Sequence, residues 1–170
     1  MGRGLDSAKL SIRAATEADV PILVAMIREL AEYERALPGA VSVTESHLRY
    51  ALFREPPAAE AIVACLDEVG VSLIVGYALF FHNFSSWRGR RGIFLEDLFV
   101  RPEMRRLGVG RALLREIARI ALDRKCLGIE WLVADWDEPA IAFCRSFGAA
   151  PVEDWTTFRI RGAALEKLGK

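Results

Sequence analysis

The 170-residue chain is poor in cysteine (three), histidine (two) and tyrosine (three), and it carries no net charge, with 23 Lys and Arg against 23 Asp and Glu. Cys65, Cys126 and Cys144 are odd in number and far apart, with no C-x-x-C pair, so neither a disulfide framework nor a zinc site is indicated. His47 and His82 are too few for a His-rich metal centre, and no metal is expected. A zero charge balance excludes a chain whose main work is coating nucleic acid or an anionic membrane, since both demand a basic excess. The greasiest run, Val71 to Phe81, is broken by Ser72 and Gly76 and falls well short of the roughly 20 residues a membrane helix needs. The opening residues have no apolar signal core, and Asp6 stands where a myristoylation signal needs Ser or Thr. Together these absences point to a cytoplasmic protein in a reducing compartment, without nucleic-acid or membrane partners.

What is present is a core. At 52% hydrophobic residues, a chain this long buries about 70% of its extended surface on folding, enough without staples. One domain over residues 10–170 is expected, after a flexible segment 1–9. Leu10 and Ile12 alternate with polar neighbours as a strand, and Thr16 with Asp19 forms a capping box for a helix carrying Ile22, Leu23, Met26, Ile27, Leu30 and Tyr33. Thr44 caps a shorter helix through Leu52 and Phe53, stopped by Pro56-Pro57. Ala61–Leu66 and Ser72–Phe81 read as a hairpin turning at Asp67–Gly70, Arg88–Gly92 as a basic loop, and Ile93–Val100 as the next strand. A long amphipathic helix from about Gly108, a strand Ile129–Val133, a helix capped by Asp137 and closed by Gly148, and a last strand Thr156–Ile160 complete the order. The class is a mixed α/β sheet.

The chemistry concentrates between a strand and the long helix, at Arg105-Arg106-Leu107-Gly108-Val109-Gly110-Arg111. Glycines let backbone N–H groups approach a ligand, and the helix N-terminus adds partial positive charge, so a pyrophosphate is a natural guest. From Arg101 to Lys125 eight basic residues face three acidic ones. A Walker loop needs Lys-Ser or Lys-Thr where this chain has Arg111-Ala112. A dinucleotide fingerprint needs a third glycine at Leu113 and a loop that follows its strand directly, whereas Arg101 to Leu107 intervene. The plain alternative is a turn followed by a solvated helix face.

R-R-L-G-V-G after F-L-E-D-L-F-V resembles the acetyl-CoA loop of the GNAT superfamily of N-acetyltransferases. A-E-Y-E at Ala31–Glu34 and W-D-E-P-A-I-A-F at Trp136–Phe143 extend the resemblance to the spermidine/spermine (diamine) acetyltransferase branch, over nearly the whole chain. The resemblance implies a GNAT-like mixed, mostly antiparallel central sheet flanked by helices, with splayed strands forming an acetyl-CoA cleft. It implies that the backbone at Leu98, Phe99 and Val100 pairs with the pantetheine. The loop Arg105, Arg106, Leu107, Gly108, Val109, Gly110 and Arg111 would hold the pyrophosphate. Asp137, Glu138, Pro139 and Ala140 would make a second cofactor contact. Tyr33 and Glu34 match substrate-contacting positions, and Glu96 matches the carboxylate facing the amine. Homodimers are common in that branch, and one is expected here.

The chemistry of amine acetylation makes a matching demand. An alkyl amine with a pKa near 10.4 must lose a proton before it attacks a thioester, and a carboxylate acting through water is a reasonable acceptor. Glu96 or Asp97 is best placed; strand alternation would send them to opposite faces, and Glu96 is the choice. Backbone N–H groups on the same strand can stabilise an oxyanion. Glu130, Asp135, Asp137 and Glu138 form an acidic stretch suited to a cation, and Trp131, Leu132 and Trp136 offer apolar lining for an aliphatic amine. The family's tyrosine acid, thought to protonate the departing thiolate, is replaced here by Cys144, whose shorter side chain makes a slow enzyme the expectation. The expected activity is therefore direct transfer from acetyl-CoA to a primary amine of a polyamine, diamine or lysine-like amino acid. The alternative is an acetyl-CoA-binding sensor with little turnover.

Overall fold

Period-two alternation and apolar helical stripes produce most of the elements that the computed structural model describes, over residues 9–68, 71–153 and 155–170. Residues 1–8 of the expected flexible segment and Val69-Gly70 of the expected turn lie outside that range, while Lys9 already belongs to the first strand. The elements are β1 (Lys9–Ala14), α1 (Val20–Tyr33), α2 (Glu45–Phe53), β2 (Glu60–Glu68), β3 (Val71–Ser85), β4 (Arg90–Val100), α3 (Val109–Asp123), β5 (Ile129–Trp131), α4 (Glu138–Arg145) and α5 (Gly162–Leu168). The chain divides into two compact units, one ending at Leu132 and the other running from Val133 to Lys170. Among the described residues no helix is long and apolar enough to cross a membrane.

The first unit is a five-stranded sheet in the order β1-β2-β3-β4-β5, antiparallel except for the β4–β5 pair. One face carries Val63, Cys65, Tyr77 and Phe99, which pack with Val20, Leu23, Val24 and Met26 of α1 and Leu48 and Leu52 of α2. The opposite face receives α3, whose Val109, Leu113 and Ile117 are buried. The Thr16–Asp19 box opens a short helical turn, Glu17–Asp19, that leads straight into α1. The Asp19 carboxylate accepts from the Thr16 N–H at 2.7 Å and pairs with Arg13 at 2.6 Å. The Arg13 hydrogen bond holds Asp19 down at about 2, so the start stays charged at ordinary pH. Thr44 caps α2 by accepting from the His47 N–H at 3.2 Å.

β3 is hinged around Gly76. There β2–β3 pairing slips past Val75, with Ala64 opposite Gly76 and Cys65 opposite Ile74. A Cβ on Gly76 would stand 2.7 Å from the Phe99 carbonyl oxygen, in backbone that cannot yield cheaply. Gly76→Ala is expected to destabilise the protein by about 2 kcal/mol and to lower the thermal midpoint by several degrees. An unchanged melting curve would show that β3 and β4 can separate there at no cost.

Several expectations need correction. The Arg88–Gly92 loop is shorter than expected: β3 and β4 continue to Ser85 and from Arg90, because Gly92 pairs with Asn83 and Arg91 with Phe84. The strand Ile129–Val133 stops at Trp131. In the second unit, Thr156–Ile160 forms no strand despite its β-forming composition, since no described strand pairs with it. α5 follows instead, an element the sequence reading missed. α4 starts as expected, with the Asp137 carboxylate accepting from the Ala140 N–H at 3.0 Å, Pro139 in the first turn, and Gly148 at φ 81 beyond its end.

Candidate active site

Unequal strand lengths leave one edge of β4 open. β5 pairs with β4 only at Ile93↔Ile129, Phe94↔Glu130 and Leu95↔Trp131; from Glu96 onward β4 has β3 alone beside it. The Arg101 N–H donates to the Val75 carbonyl at 3.0 Å. Antiparallel alternation then turns the backbone groups of Phe99 and Asp97 toward β3 and those of Leu98 and Val100 toward the open edge. The Val100 carbonyl is already taken by Arg105 Nε at 3.0 Å. An extended amide-bearing arm could therefore pair with Leu98 and the Val100 N–H. Phe99 does not share that role: its backbone faces β3 and its side chain is in the core.

The two carboxylates sit at a β-bulge. Leu79 is opposite Asp97 and Phe80 opposite Leu95, so Glu96 is the extra residue. Phe94, Asp97 and Phe99 share the face that carries α1, by their partners Phe81, Leu79 and Tyr77. Simple alternation, the basis for expecting only one carboxylate at the site, fails at this residue. Asp97 lies largely buried and accepts from the Tyr77 hydroxyl at 2.9 Å. Burial pushes its carboxyl up to about 6 against that hydrogen bond, helped by the negative charges of Glu96 and Glu34. Burial first, and then the Asp97 charge, raises the Tyr77 phenol, which remains a donor. Glu96 is exposed. The sequence reading passed over Tyr77; its one signal was a hydroxyl in the otherwise apolar stretch Val75–Phe81.

At the other side of the β4 end lies the loop. A short helical turn at Pro102–Met104 leads to Arg105, and Arg106 and Gly108 adopt positive φ of 64 and 85. Gly108 is the N-cap of α3 with no side-chain cap, so the first N–H groups of the helix have no side-chain acceptor there, and Arg106, Arg111 and Arg115 are exposed. This is the donor set a pyrophosphate needs. The basic surplus is smaller than the sequence count, because Arg101 pairs with Glu29 at 3.1 Å and Arg124 with Glu60, two acids from outside the segment. Among the described residues no three of His, Cys, Asp and Glu stand close enough to hold a metal ion.

Tyr33 ends α1 and Glu34 caps it, so both meet the Asp97 region from the helical side: the Tyr33 ring lies 4.5 Å from the Arg105 guanidinium, and Glu34 acts electrostatically on Asp97. Glu130 is exposed on β5 and accepts from Asn83 Nδ2 at 3.0 Å. That bridge passes over Gly92, where a Cβ would meet Asn83 Oδ1 at 2.5 Å. Trp131 is partly buried and Leu132 exposed. Asp135, Trp136, Asp137, Glu138, Pro139, Ala140 and Cys144 belong to the second unit, Cys144 half-buried on α4.

A strand edge left open beside an uncapped helix N-terminus is the arrangement a nucleotide-linked acyl carrier would need. Residues 24–149 match the acetyltransferase (GNAT) family, and the chain belongs to it. Relatives include a thialysine N-epsilon-acetyltransferase of Sus scrofa, 38% identical over 95% of this chain and 98% of that protein. An L-ornithine N5-acetyltransferase of Arabidopsis thaliana is 29% identical over 94% of this chain and 87% of its own. Among solved structures, an integron cassette protein from the mobile metagenome of V. cholerae superposes with a TM-score of 0.75 at 25% identity, covering 95% of this chain and 98% of that one.

Proposed function

We propose that the chain transfers the acetyl group of acetyl-CoA directly to a primary amine of a small cationic substrate, a polyamine, a diamine or a lysine-like amino acid. The observation that carries this reading is the anionic group of Glu96 and Asp97 on β4 with Glu34 at the end of α1 acting on Asp97, on the strand that leads into the loop before the uncapped α3 N-terminus. Relatives named for thialysine and L-ornithine favour the lysine-like class. Acetyl-CoA supplies the activated acetyl group. The Arg106–Arg111 backbone with Arg106 and Arg111 would hold its pyrophosphate, Leu98 and Val100 its pantetheine, and Asp137–Ala140 a further part.

Asp97, raised by burial among like charges, gains most from a neighbouring ammonium, which restores its ionised form. It therefore anchors the substrate amine, with Tyr33 and Glu34 beside it and Glu130, Trp131 and Leu132 further along. Glu96, exposed at the bulge, takes the proton through water and returns it to solvent. Two adjacent carboxylates in different environments divide anchoring from proton removal.

The family match, residues 24–149, runs across the boundary between the two compact units, which supports one acetyltransferase domain from residue 10 to 170. The exposed Trp155, Phe158 and Ile160 support a homodimer, and three free cysteines suit a reducing cytoplasm. Cys144 stands in place of the family's tyrosine acid. Direct transfer predicts that the intact mass stays unchanged on mixing with acetyl-CoA alone; acetylation at Cys144 would overturn it. Cys144→Tyr is expected to raise kcat by about tenfold or more through a restored general acid. An unchanged rate would remove Cys144 from the leaving-group role.

A further inference from the structure

Arg105 opens the candidate phosphate loop, yet it is partly buried where Arg106 and Arg111 are exposed. It folds back inside the first unit: Nε donates to the Val100 carbonyl at 3.0 Å, and the guanidinium carbon lies 4.5 Å from the centroid of Tyr33 and 6.0 Å from that of Phe99. One planar group thus touches the last residue of β4, the last residue of α1 and the core residue between them. Phe99 in turn packs at 6.3 Å against Tyr77, the donor to Asp97. A second tie runs in parallel, with Arg101 holding Glu29 one turn earlier on α1.

We infer that Arg105 is a positioning residue for the amine: it holds the Tyr33 ring at a set distance from the β4 edge, so that forming the phosphate loop also places the amine-side wall. The inference rests on the reading that Tyr33 and Asp97 face the amine. It departs from the loop pattern, which makes Arg105 a cofactor residue, because a side chain bonded to Val100 and stacked on Tyr33 has its Nε and one face already committed. Arginine suits the task where lysine does not. An in-plane Nε–H can reach the carbonyl while the flat face lies on the aromatic ring, whereas an ammonium can satisfy only one of the two. The consequence is a directional split. The loop backbone and helix N-terminus bind phosphate without the Arg105 side chain, while the amine loses its wall when that side chain is removed.

The test measures acetyl-CoA affinity by calorimetry and steady-state amine kinetics for Arg105→Met, Arg105→Lys, Tyr33→Ala and the double variant Tyr33→Ala/Arg105→Met, with thermal midpoints for all four. Arg105→Met is expected to raise the amine KM by about tenfold while acetyl-CoA affinity changes by less than about threefold, and Arg105→Lys to recover only part of the loss. In the Tyr33→Ala background the Arg105 change should add little, since both act on one wall. A tenfold loss of acetyl-CoA affinity with the amine KM unchanged would overturn the inference and make Arg105 a phosphate ligand. Should Arg105→Met not fold, the Lys variant carries the same split. If Tyr33→Ala raises the amine KM and neither Arg105 variant does, only this inference falls; if Tyr33→Ala and Asp97→Asn both leave the amine KM unchanged, the amine site itself has been misplaced.

Discussion

Asp97→Asn is expected to lower kcat/KM for the amine by about 10²-fold at about pH 8, while Glu96→Gln lowers kcat by about 10²-fold or more. The two losses differ because the environments differ. Asp97 is partly buried and held by Tyr77, and if it anchors the ammonium a neutral amide there would remove the counter-charge, so the damage would fall mainly on KM. Glu96 stands exposed at the bulge, and if it is the proton's exit its loss would fall on kcat and be greatest at low pH, where less of the amine is already neutral.

Asp97 also sets a pH signature. With its carboxyl at about 6, kcat/KM should fall on the acid side with an inflection near 6, and Asp97→Asn should erase that limb. Stability moves the other way. The folded-state value lies above the ordinary 3.8, so the native protein binds this proton more tightly than the unfolded chain does. Stability is therefore lost as pH rises from about 4 to about 6, and the penalty persists at higher pH. Removing the ionisable group should raise the thermal midpoint at about pH 8, on the order of 2 kcal/mol of stability, in the same variant that loses activity. An Asp97→Asn protein that is less stable and retains the acid limb would show that the carboxylate is structural.

The second large effect concerns the loop. Gly110 follows the left-handed Gly108 in the first turn of α3, where the N–H groups have no intrahelical partner. Gly110→Glu places both bulk and a negative charge where the pyrophosphate would lie. Acetyl-CoA affinity should fall by more than about 100-fold, and at a concentration giving the parent protein about 2.7 kcal/mol of ligand stabilisation the variant should show almost none. The carboxylate itself should be tolerated by the helix N-terminus, so the midpoint without ligand should change little. Retained ligand stabilisation in Gly110→Glu would place the cofactor elsewhere.

Much of this architecture was legible in local patterns. The Thr16–Asp19 box, the Thr44 and Asp137 caps and the stripe Val109, Leu113, Leu114, Ile117 and Ala121 each encode an element by short-range rules, and each appears where those rules place it. What escaped depends on partners distant in sequence. The bulge at Glu96 exists only in the register with Leu79 and Phe80, so alternation along β4 alone could not show that Phe94 shares the α1 face with Asp97 and Phe99. Tyr77 gains its meaning from Asp97, 20 residues away. Arg105 read as the first residue of a cofactor loop, and its stacking on Tyr33, 72 residues away, shows only in the fold. Thr156–Ile160 fails in the reverse direction: strand-forming residues without a ladder partner among the described strands make no strand.

The central claim is that one domain holds a phosphate loop for acetyl-CoA and a carboxylate pair for a cationic amine, and that it joins them in a single transfer. The most direct measurement follows free CoA thiol and the acetylated product by mass spectrometry, across thialysine, lysine, ornithine, short diamines, spermidine and a neutral aromatic amine. Thiol release matched one for one by N-acetylated product is expected for at least one cationic amine, and none for the neutral one. Tight acetyl-CoA binding with no thiol release on any amine would contradict it.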